Sequence, residues 1–132
     1  MATVTAGLTL ASAAGDLTSQ VLSLSVSEAI TAANTSGFAK TKISQIAANT
    51  STEVIYTAGD YTGPVYLYVL NTQSTAENFI YIYDSTSTGA PVIMKLGGGN
   101  FGLIPLNGDK TLRAYGSTAD FVLEYMVFGT EA

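Results

Sequence analysis

The chain has 132 residues, a formal net charge of −5 at pH 7, and neither cysteine nor histidine. Without thiols and imidazoles it lacks disulfides, the commonest transition-metal ligands and the usual general base, so we expect no metal site, no cofactor and no enzymatic activity. Its five basic residues are too few to neutralise a phosphate backbone or an anionic bilayer, so neither nucleic acid nor membrane is an expected partner.

The low charge also bears on assembly. Only 11% of the residues are charged while 47% are hydrophobic, so serine, threonine, asparagine and glycine have to keep the protein soluble. Such side chains cost little to bury against a neighbour, which favours a protein that lives in an assembly over a threonine-rich β surface without a partner. Residues 1–6 have no basic start and no continuous apolar stretch, so we expect no secretory signal and synthesis in the cytoplasm.

The first third of the chain alternates as β-strands do. From residue 4 to residue 10 the even positions are apolar, and within residues 21–30 leucine or valine at even positions alternates with serine. This period of two predicts two strands; the alternative is a helix over residues 17–33. Residues 34–37 are predicted to form a turn and residues 38–46 a weaker strand, whose odd positions face inward: Ala39, Thr41 and Ile43.

A change in composition near residues 47–52 separates an aromatic-poor part, residues 1–52, from an aromatic-rich part, residues 53–132. Twelve of the thirteen aromatic residues, eight Tyr and five Phe in all, lie in the second part. Short β patterns there predict strands with turns between them, at residues 53–57, 65–70, 79–83, 92–96, 101–106 and 111–115.

Three features of the aromatic-rich part give sharper expectations. Pro105 cannot donate to a β-ladder, so its strand should lie at a sheet edge or end there. Asn107 and Gly108 form the dipeptide of a two-residue hairpin turn, which would join the strands at 101–106 and 111–115. Residues 120–130 are apolar on both alternating faces except at Glu124, so they are predicted to form a central strand covered on both sides.

About ten short strands at this spacing predict an all-β fold, either an antiparallel β-sandwich or a jelly-roll-like barrel. No linker is long enough to separate independent domains, so we expect a single β domain over residues 1–132. The segment Gly97 to Gly102 matches the pattern G-x-G-x-x-G. Because strand residues follow it instead of a helix, we interpret it as a loop and not as a nucleotide site.

Tyrosines and one carboxylate are the remaining candidates for binding. A cross-strand ladder is predicted for Tyr66, Tyr68, Tyr81 and Tyr83, either as packing or as a surface that stacks on sugar rings. Glu124 is expected on an exposed sheet face, or else in a salt bridge with Arg113, Lys95 or a neighbouring subunit.

The layout of the whole chain resembles small virion structural proteins of tailed bacteriophages. The resemblance is carried by residues 8–12, 22–26, 65–72, 98–106 and 121–128. It implies a protein of the virion, made in the host cytoplasm and located on the capsid surface. Its implied role is that of a capsid decoration, or cement, protein that binds the outer shell and stabilises adjacent capsomers, with no catalytic residues.

The resemblance also implies partners. The major capsid protein is the expected one, together with further copies of the chain in a dimer or trimer. We expect the aromatic-poor part to make these contacts, because small side chains allow close approach of two backbones. The candidate interface residues are Leu8, Leu10, Leu22, Leu24, Val26 and Glu124. The alternative function is a tail- or fibre-associated β-sandwich that binds host-surface carbohydrate through the four tyrosines.

Overall fold

The structure, a computed structural model, describes residues 2–12, 23–32, 34–43, 53–84, 92–117 and 121–131. Every regular element within these residues is a β-strand. In chain order the strands are β1 (Ala2–Ala11), β2 (Ser23–Ala32), β3 (Asn34–Ile43), β4 (Glu53–Tyr56), β5 (Tyr61–Asn71), β6 (Ile80–Asp84), β7 (Val92–Leu96), β8 (Phe101–Leu106), β9 (Leu112–Gly116) and β10 (Phe121–Glu131). They form two compact units, which we call the hairpin (Met1–Ala33) and the body (Asn34–Ala132).

The hairpin consists of β1 and β2, paired antiparallel from Ala2 opposite Ala32 to Ala11 opposite Ser23. In this register even positions of β1 lie opposite even positions of β2, so the apolar residues of both strands share one face. The two predicted strands are therefore confirmed. The alternative helix is wrong for residues 23–32, because their apolar positions repeat every two residues; residues 17–22 lie outside the described part of the chain.

The body contains two four-stranded antiparallel sheets. We call the first, with strand order β3-β10-β5-β8, the β10 sheet and the second, with order β4-β9-β6-β7, the β6 sheet. Both sheets contribute to one buried core, for example Leu67 and Leu123 from the β10 sheet and Ile80 and Ile82 from the β6 sheet, all with no exposed surface. The fold is all-β and antiparallel, as predicted, with the layered arrangement of a β-sandwich.

The last strand, β10, lies between β3 and β5 in its sheet. Phe121, Leu123 and Val127 are buried in the core, which confirms the prediction of a central strand. From residue 39 to residue 43 the odd positions of β3 lie opposite odd positions of β10, for example Thr41 opposite Leu123, and the register shifts between Tyr125 and Val127.

The predicted hairpin at Asn107 and Gly108 is wrong. A turn does form, since the backbone N–H of Lys110 donates to the carbonyl of Asn107 at 3.2 Å. However, β8 before the turn pairs with β5, whereas β9 after it pairs with β4 and β6 in the other sheet. A local turn signal reverses the chain but does not specify which sheet receives the next strand.

Two other turns are also misplaced. Residues 34–37 belong to β3 and residues 61–64 to the beginning of β5, although Gly and polar residues predicted turns at both places. Pairing with β10 extends the two strands, since Asn34 lies opposite Gly129 and Tyr61 opposite Glu131. The edge position predicted from Pro105 is confirmed, because β8 is the outermost strand of the β10 sheet and ends at Leu106.

Candidate functional site

Four large apolar side chains lie on one face of the hairpin. Leu8 is opposite Val26 and Leu10 is opposite Leu24. Their exposed fractions are 45% for Leu8, 43% for Leu10, 41% for Leu24 and 52% for Val26. We call these four residues the hairpin stripe. The structure thus brings together four of the five apolar interface candidates, and the fifth, Leu22, lies outside the described residues.

The two faces of the hairpin differ in chemistry. The even positions of both strands form the face that carries the stripe, and Glu28, opposite Ala6, is the charged residue among them. The odd positions carry small residues, such as Thr9 opposite Ser25. Water can form hydrogen bonds with the serine and threonine hydroxyls at the odd positions, whereas the stripe leaves leucine and valine in contact with solvent. Only the stripe therefore gains free energy by being covered.

A second group of exposed apolar residues lies on β8, the edge strand of the β10 sheet. It consists of Phe101, the most exposed at 69%, and Leu103. Both are on the outer face of that sheet, because Ile104 and Leu106 at the alternate positions pack against the core. We call Phe101 and Leu103 the edge patch. Val92 and Ile93 are also exposed, on β7 at the edge of the β6 sheet.

The sequence analysis did not predict the edge patch. The apolar content of residues 92–96 and 101–106 indicated strands, but which strands form the sheet edges depends on the strand order. Pro105 was the one available signal, because it placed β8 at an edge. An edge strand has no neighbour on one side to cover its outward side chains, and Phe101 is exposed for that reason.

Glu124 lies on the outer face of the β10 sheet, away from the shared core. Its neighbour there is Tyr68, whose pKa is raised above 10.0 first by burial and then by the charge of Glu124, with which it shares a hydrogen bond. In the backbone register Lys40 of β3 is opposite Glu124. Lys95 and Arg113 belong to the β6 sheet, so the predicted salt bridge with either of them is wrong.

The predicted ladder of four tyrosines is also wrong. Tyr66 and Tyr68 lie on β5 in the β10 sheet, whereas Tyr81 and Tyr83 lie on β6 in the other sheet. The chain changes sheet between β5 and β6, so the two pairs cannot be cross-strand neighbours. Equal spacing within two aromatic strands was no evidence that the strands are adjacent.

The tyrosines instead stack on other rings in their own sheets. Tyr66 stacks on Phe128 with ring centroids 5.8 Å apart, and Tyr81 stacks on Tyr115 at 4.8 Å. Tyr83 meets Tyr115 edge to face at 5.8 Å and is buried. These contacts pack each tyrosine against a ring of its own sheet.

One cation lies over this second aromatic group. The ammonium of Lys95 is 3.8 Å from the centre of the Phe79 ring and 5.8 Å from the centre of the Tyr81 ring. Both distances are within the range of a cation–π contact. The ammonium of Lys95 therefore covers one face of Phe79, the residue that directly precedes β6.

Asn71 organises the loop next to the edge patch. It is fully buried, and its amide nitrogen donates to the carbonyls of Asn78 at 2.7 Å and Leu96 at 2.9 Å, while its amide oxygen accepts from the N–H of Gln73 at 3.1 Å. The sequence analysis missed this role, because an asparagine beside a polar loop gives the same signal when it is solvated.

The glycine-rich segment Gly97 to Asn100 forms a loop, as predicted. The N–H of Asn100 donates to the carbonyl of Gly97 at 3.0 Å, and Gly99 has a φ of +78°. A Cβ on Gly98 would lie 2.2 Å from the carbonyl oxygen of Thr75. The segment thus packs its backbone directly against another loop, which requires glycine at this position.

The described residues contain no group of three or more acidic side chains placed to hold a metal ion. Within the same residues there is no helix long and apolar enough to span a bilayer. Comparisons with protein-family models, with curated proteins and with solved structures found no match to this chain. The large apolar side chains that the described residues expose are the hairpin stripe, the edge patch, Val54, Val92 and Ile93.

Proposed function

We propose that this chain is a non-enzymatic structural protein that works by binding an assembled partner, and specifically that it is a capsid decoration protein on the outside of a phage shell. The exposed edge patch carries the general part of this proposal. Its partner would be the major capsid protein. The specific role follows from the resemblance of the sequence layout to phage virion proteins.

The edge patch suits binding to a preformed surface. Phe101 is a large aromatic residue with most of its surface in water, and aromatic residues are the commonest anchors at the centres of protein interfaces. Leu103 lies two residues further along the same strand and on the same side. A pocket on the shell that accepted these two side chains would gain apolar burial without any rearrangement of the body.

The low charge of the chain is consistent with this mode of binding. With a net charge of −5 and 11% charged residues, the protein has few Lys and Glu side chains to desolvate when it settles on a surface. The sugar-binding alternative gains no support from the tyrosines, because the four do not form one ladder: Tyr66 and Tyr68 lie in the β10 sheet, and Tyr81 and Tyr83 in the β6 sheet. We therefore favour a protein surface over a glycan as the ligand.

The test is co-sedimentation of the purified protein with expanded capsid shells that lack it. We expect the wild-type chain to sediment with the shells and the double variant Phe101→Ser, Leu103→Ser to lose at least about tenfold in affinity. Val54→Ser is the matched control. Val54 is also an exposed apolar residue, at 40%, but it lies on β4 at the opposite edge of the β6 sheet.

Two results would contradict the proposal. If the wild-type chain does not sediment with the shells, the protein is not a decoration protein of those shells. If the control weakens binding as much as the double variant does, the edge patch is not the contact surface. A saturable change in tyrosine fluorescence on addition of a host glycan would instead support the alternative, and the absence of tryptophan makes that signal unambiguous.

A further inference from the structure

We infer that the outer face of the β6 sheet binds a carboxylate of an acidic segment in a partner protein, through the ammonium of Lys95 and the hydroxyls of Tyr81 and Tyr115. We call these three residues, together with Phe79, the Lys95 cluster. The contact goes beyond the proposed function, because the edge patch lies on the other sheet. It can also be tested without capsid shells.

The three polar residues of the cluster lie in one row across three adjacent strands. Lys95 of β7 is opposite Tyr81 of β6, and Tyr81 is opposite Tyr115 of β9. The row is on the outer face of the sheet, because the alternate positions of β6, Ile80 and Ile82, are fully buried in the core. Polar groups from three strands therefore meet at one place on this face.

The two tyrosines of the row turn their hydroxyls outward. Their ring centroids are 4.8 Å apart with 22° between the planes, which is too close for two rings lying flat side by side, so the rings stand up from the sheet. Neither hydroxyl makes a hydrogen bond within the described residues. The pKa of Tyr115 is raised above 10.0, first by burial and then by Tyr81 and Tyr83, so at neutral pH its hydroxyl keeps a proton to donate.

Lys95 is held in position by aromatic rings and not by an acid. Its ammonium is 3.8 Å from the centre of the Phe79 ring, and a cation–π contact orients the ammonium without neutralising its charge. Lys110 forms an ion pair with Asp84 at 3.8 Å, whereas Lys95 forms none within the described part of the chain. In a sequence with ten acidic and five basic residues, that makes Lys95 a positioned charge for an external carboxylate.

The strands of the β6 sheet supply no competing acid on this face. Their two acidic residues, Glu53 and Asp84, both lie opposite buried core residues of β9, so the register places them on the other face. Arg113, opposite Tyr83, is a further basic residue on the outer face and has contacts of its own within the chain. The direct contact with the ligand is therefore that of Lys95.

Charge complementarity identifies the ligand. The ammonium only donates hydrogen bonds and a carboxylate only accepts them, and the charge on both groups strengthens the bond. A nucleic acid or an acidic polysaccharide would be repelled by a chain of net charge −5, whereas a single carboxylate needs one cation. Val92, opposite Tyr83 on the same face, is 44% exposed, and an apolar residue beside a charged pair suits a protein segment.

The experiment is an NMR titration of the full chain at low ionic strength with a short synthetic peptide of alternating Glu and Thr. A Gln and Thr peptide of the same length should bind at least about threefold more weakly. Lys95→Gln should weaken binding of the Glu peptide at least about threefold. Lys110→Gln is the matched control. It removes the same charge from a lysine that already pairs with Asp84, and it should change binding by less than about twofold.

Two further variants give signals of their own. Tyr81→Phe removes a hydroxyl and keeps the ring, so it should weaken binding of the Glu peptide about threefold while the stack on Tyr115 remains. Lys95→Glu should lose the Glu peptide and gain binding of a Lys and Thr peptide, by more than Lys110→Glu does. Circular dichroism shows whether each variant has kept its fold.

The outcomes separate this inference from the proposed function. A wild-type chain that does not bind the Glu peptide or binds the Gln peptide equally well, or equal losses in Lys95→Gln and Lys110→Gln, overturns the inference and leaves shell binding by the edge patch intact. If heparin, and not the Glu peptide, shows the loss that is specific to Lys95→Gln, the ligand is an acidic sugar and the assignment to a protein segment is wrong. A chain that binds the peptide but not the shells contradicts only the proposed function.

Discussion

Leucines at alternate strand positions are buried to very different degrees in the hairpin and in the body. Leu8 and Leu24 in the hairpin are 45% and 41% exposed, whereas Leu67 and Leu123 in the body have no exposed surface. All four occupy alternate positions of regular strands. The body has a second sheet to cover its apolar faces and the hairpin has only its two strands. Alternation therefore identifies the apolar face of a strand but not what covers it.

The composition of the two units follows the same division. All eight tyrosines lie in the body, and the hairpin has serine, threonine, alanine, leucine and valine. Aromatic rings fill the space between and around two sheets, where Tyr56 and Tyr61 stack at 6.1 Å. Small side chains cannot fill such a space, but they allow a second backbone to approach closely. The small side chains of the hairpin thus do not build a closed core like that of the body.

Truncating one leucine in each unit gives the largest expected difference between them. Leu67→Ala should lower the free energy of unfolding by about 2–5 kcal/mol, because it leaves a cavity in the closed core of the body. Leu8→Ala should change it by no more than about 0.5 kcal/mol, because that side chain is already half in water. Chemical denaturation followed by tyrosine fluorescence measures both.

If Leu67→Ala and Leu8→Ala lowered the free energy of unfolding equally, the division into a closed core in the body and an open face on the hairpin would be wrong.

This comparison also explains how far the fold could be predicted from the sequence. Three features follow from local chemistry. Alternation of apolar and polar residues predicts the all-β class, two apolar faces predict the central position of β10, and Pro105 predicts the edge position of β8. The assignment of strands to sheets does not. Asn107 and Gly108 turn the chain correctly, but the choice between the β10 sheet and the β6 sheet depends on which apolar faces meet across the core, a long-range property that no dipeptide encodes.

Candidate sites could be predicted only as far as they are local. The hairpin stripe is a pattern within two strands, so its residues were found, although their exposure was not. The edge patch depends on β8 being the outermost strand of its sheet, which is known only from the strand order. The tyrosine ladder failed for the same reason, because Tyr66 and Tyr81 are in different sheets.

Glycine substitutions compare the backbones of the two units and should give an intermediate effect. Gly98→Ala places a methyl group 2.2 Å from the carbonyl oxygen of Thr75, so one of the two loops has to move, at a cost of about 1–3 kcal/mol. Gly7→Ala in β1 meets no atom within 4 Å, and alanine restricts the unfolded chain more than glycine does. We expect it to be neutral or to stabilise by up to about 1 kcal/mol.

Thermal unfolding of both variants by circular dichroism is the measurement. Gly99→Ala is an internal control for the loop, since it has space for a methyl group but a φ of +78°. It should cost about 1–2 kcal/mol through the backbone alone. A harmless Gly98→Ala would mean that the loop containing Thr75 is free to move away, and the close packing described for this end of the body would be wrong.

The smallest expected effect is a change in tyrosine titration, which belongs to the body alone. The pKa values of Tyr56, Tyr68 and Tyr115 are all raised above 10.0, in each case mainly by burial. A raised pKa means that the folded protein holds the proton more tightly than the unfolded chain. These groups therefore contribute stability that is complete below pH 10, and it is lost as the pH rises through the pKa of the folded state.

Glu124→Gln isolates one cause of this behaviour. The negative charge of Glu124 is the second contribution to the raised pKa of Tyr68, so its removal should move one tyrosine to a lower pH in the ultraviolet titration of tyrosinate, toward 10.0. Glu77→Gln, at an exposed loop position, is the control and should leave the titration unchanged. If Glu124→Gln leaves the titration unchanged as well, the contact between Glu124 and Tyr68 does not persist in solution, and Glu124 is held on the outer face of the β10 sheet in some other way.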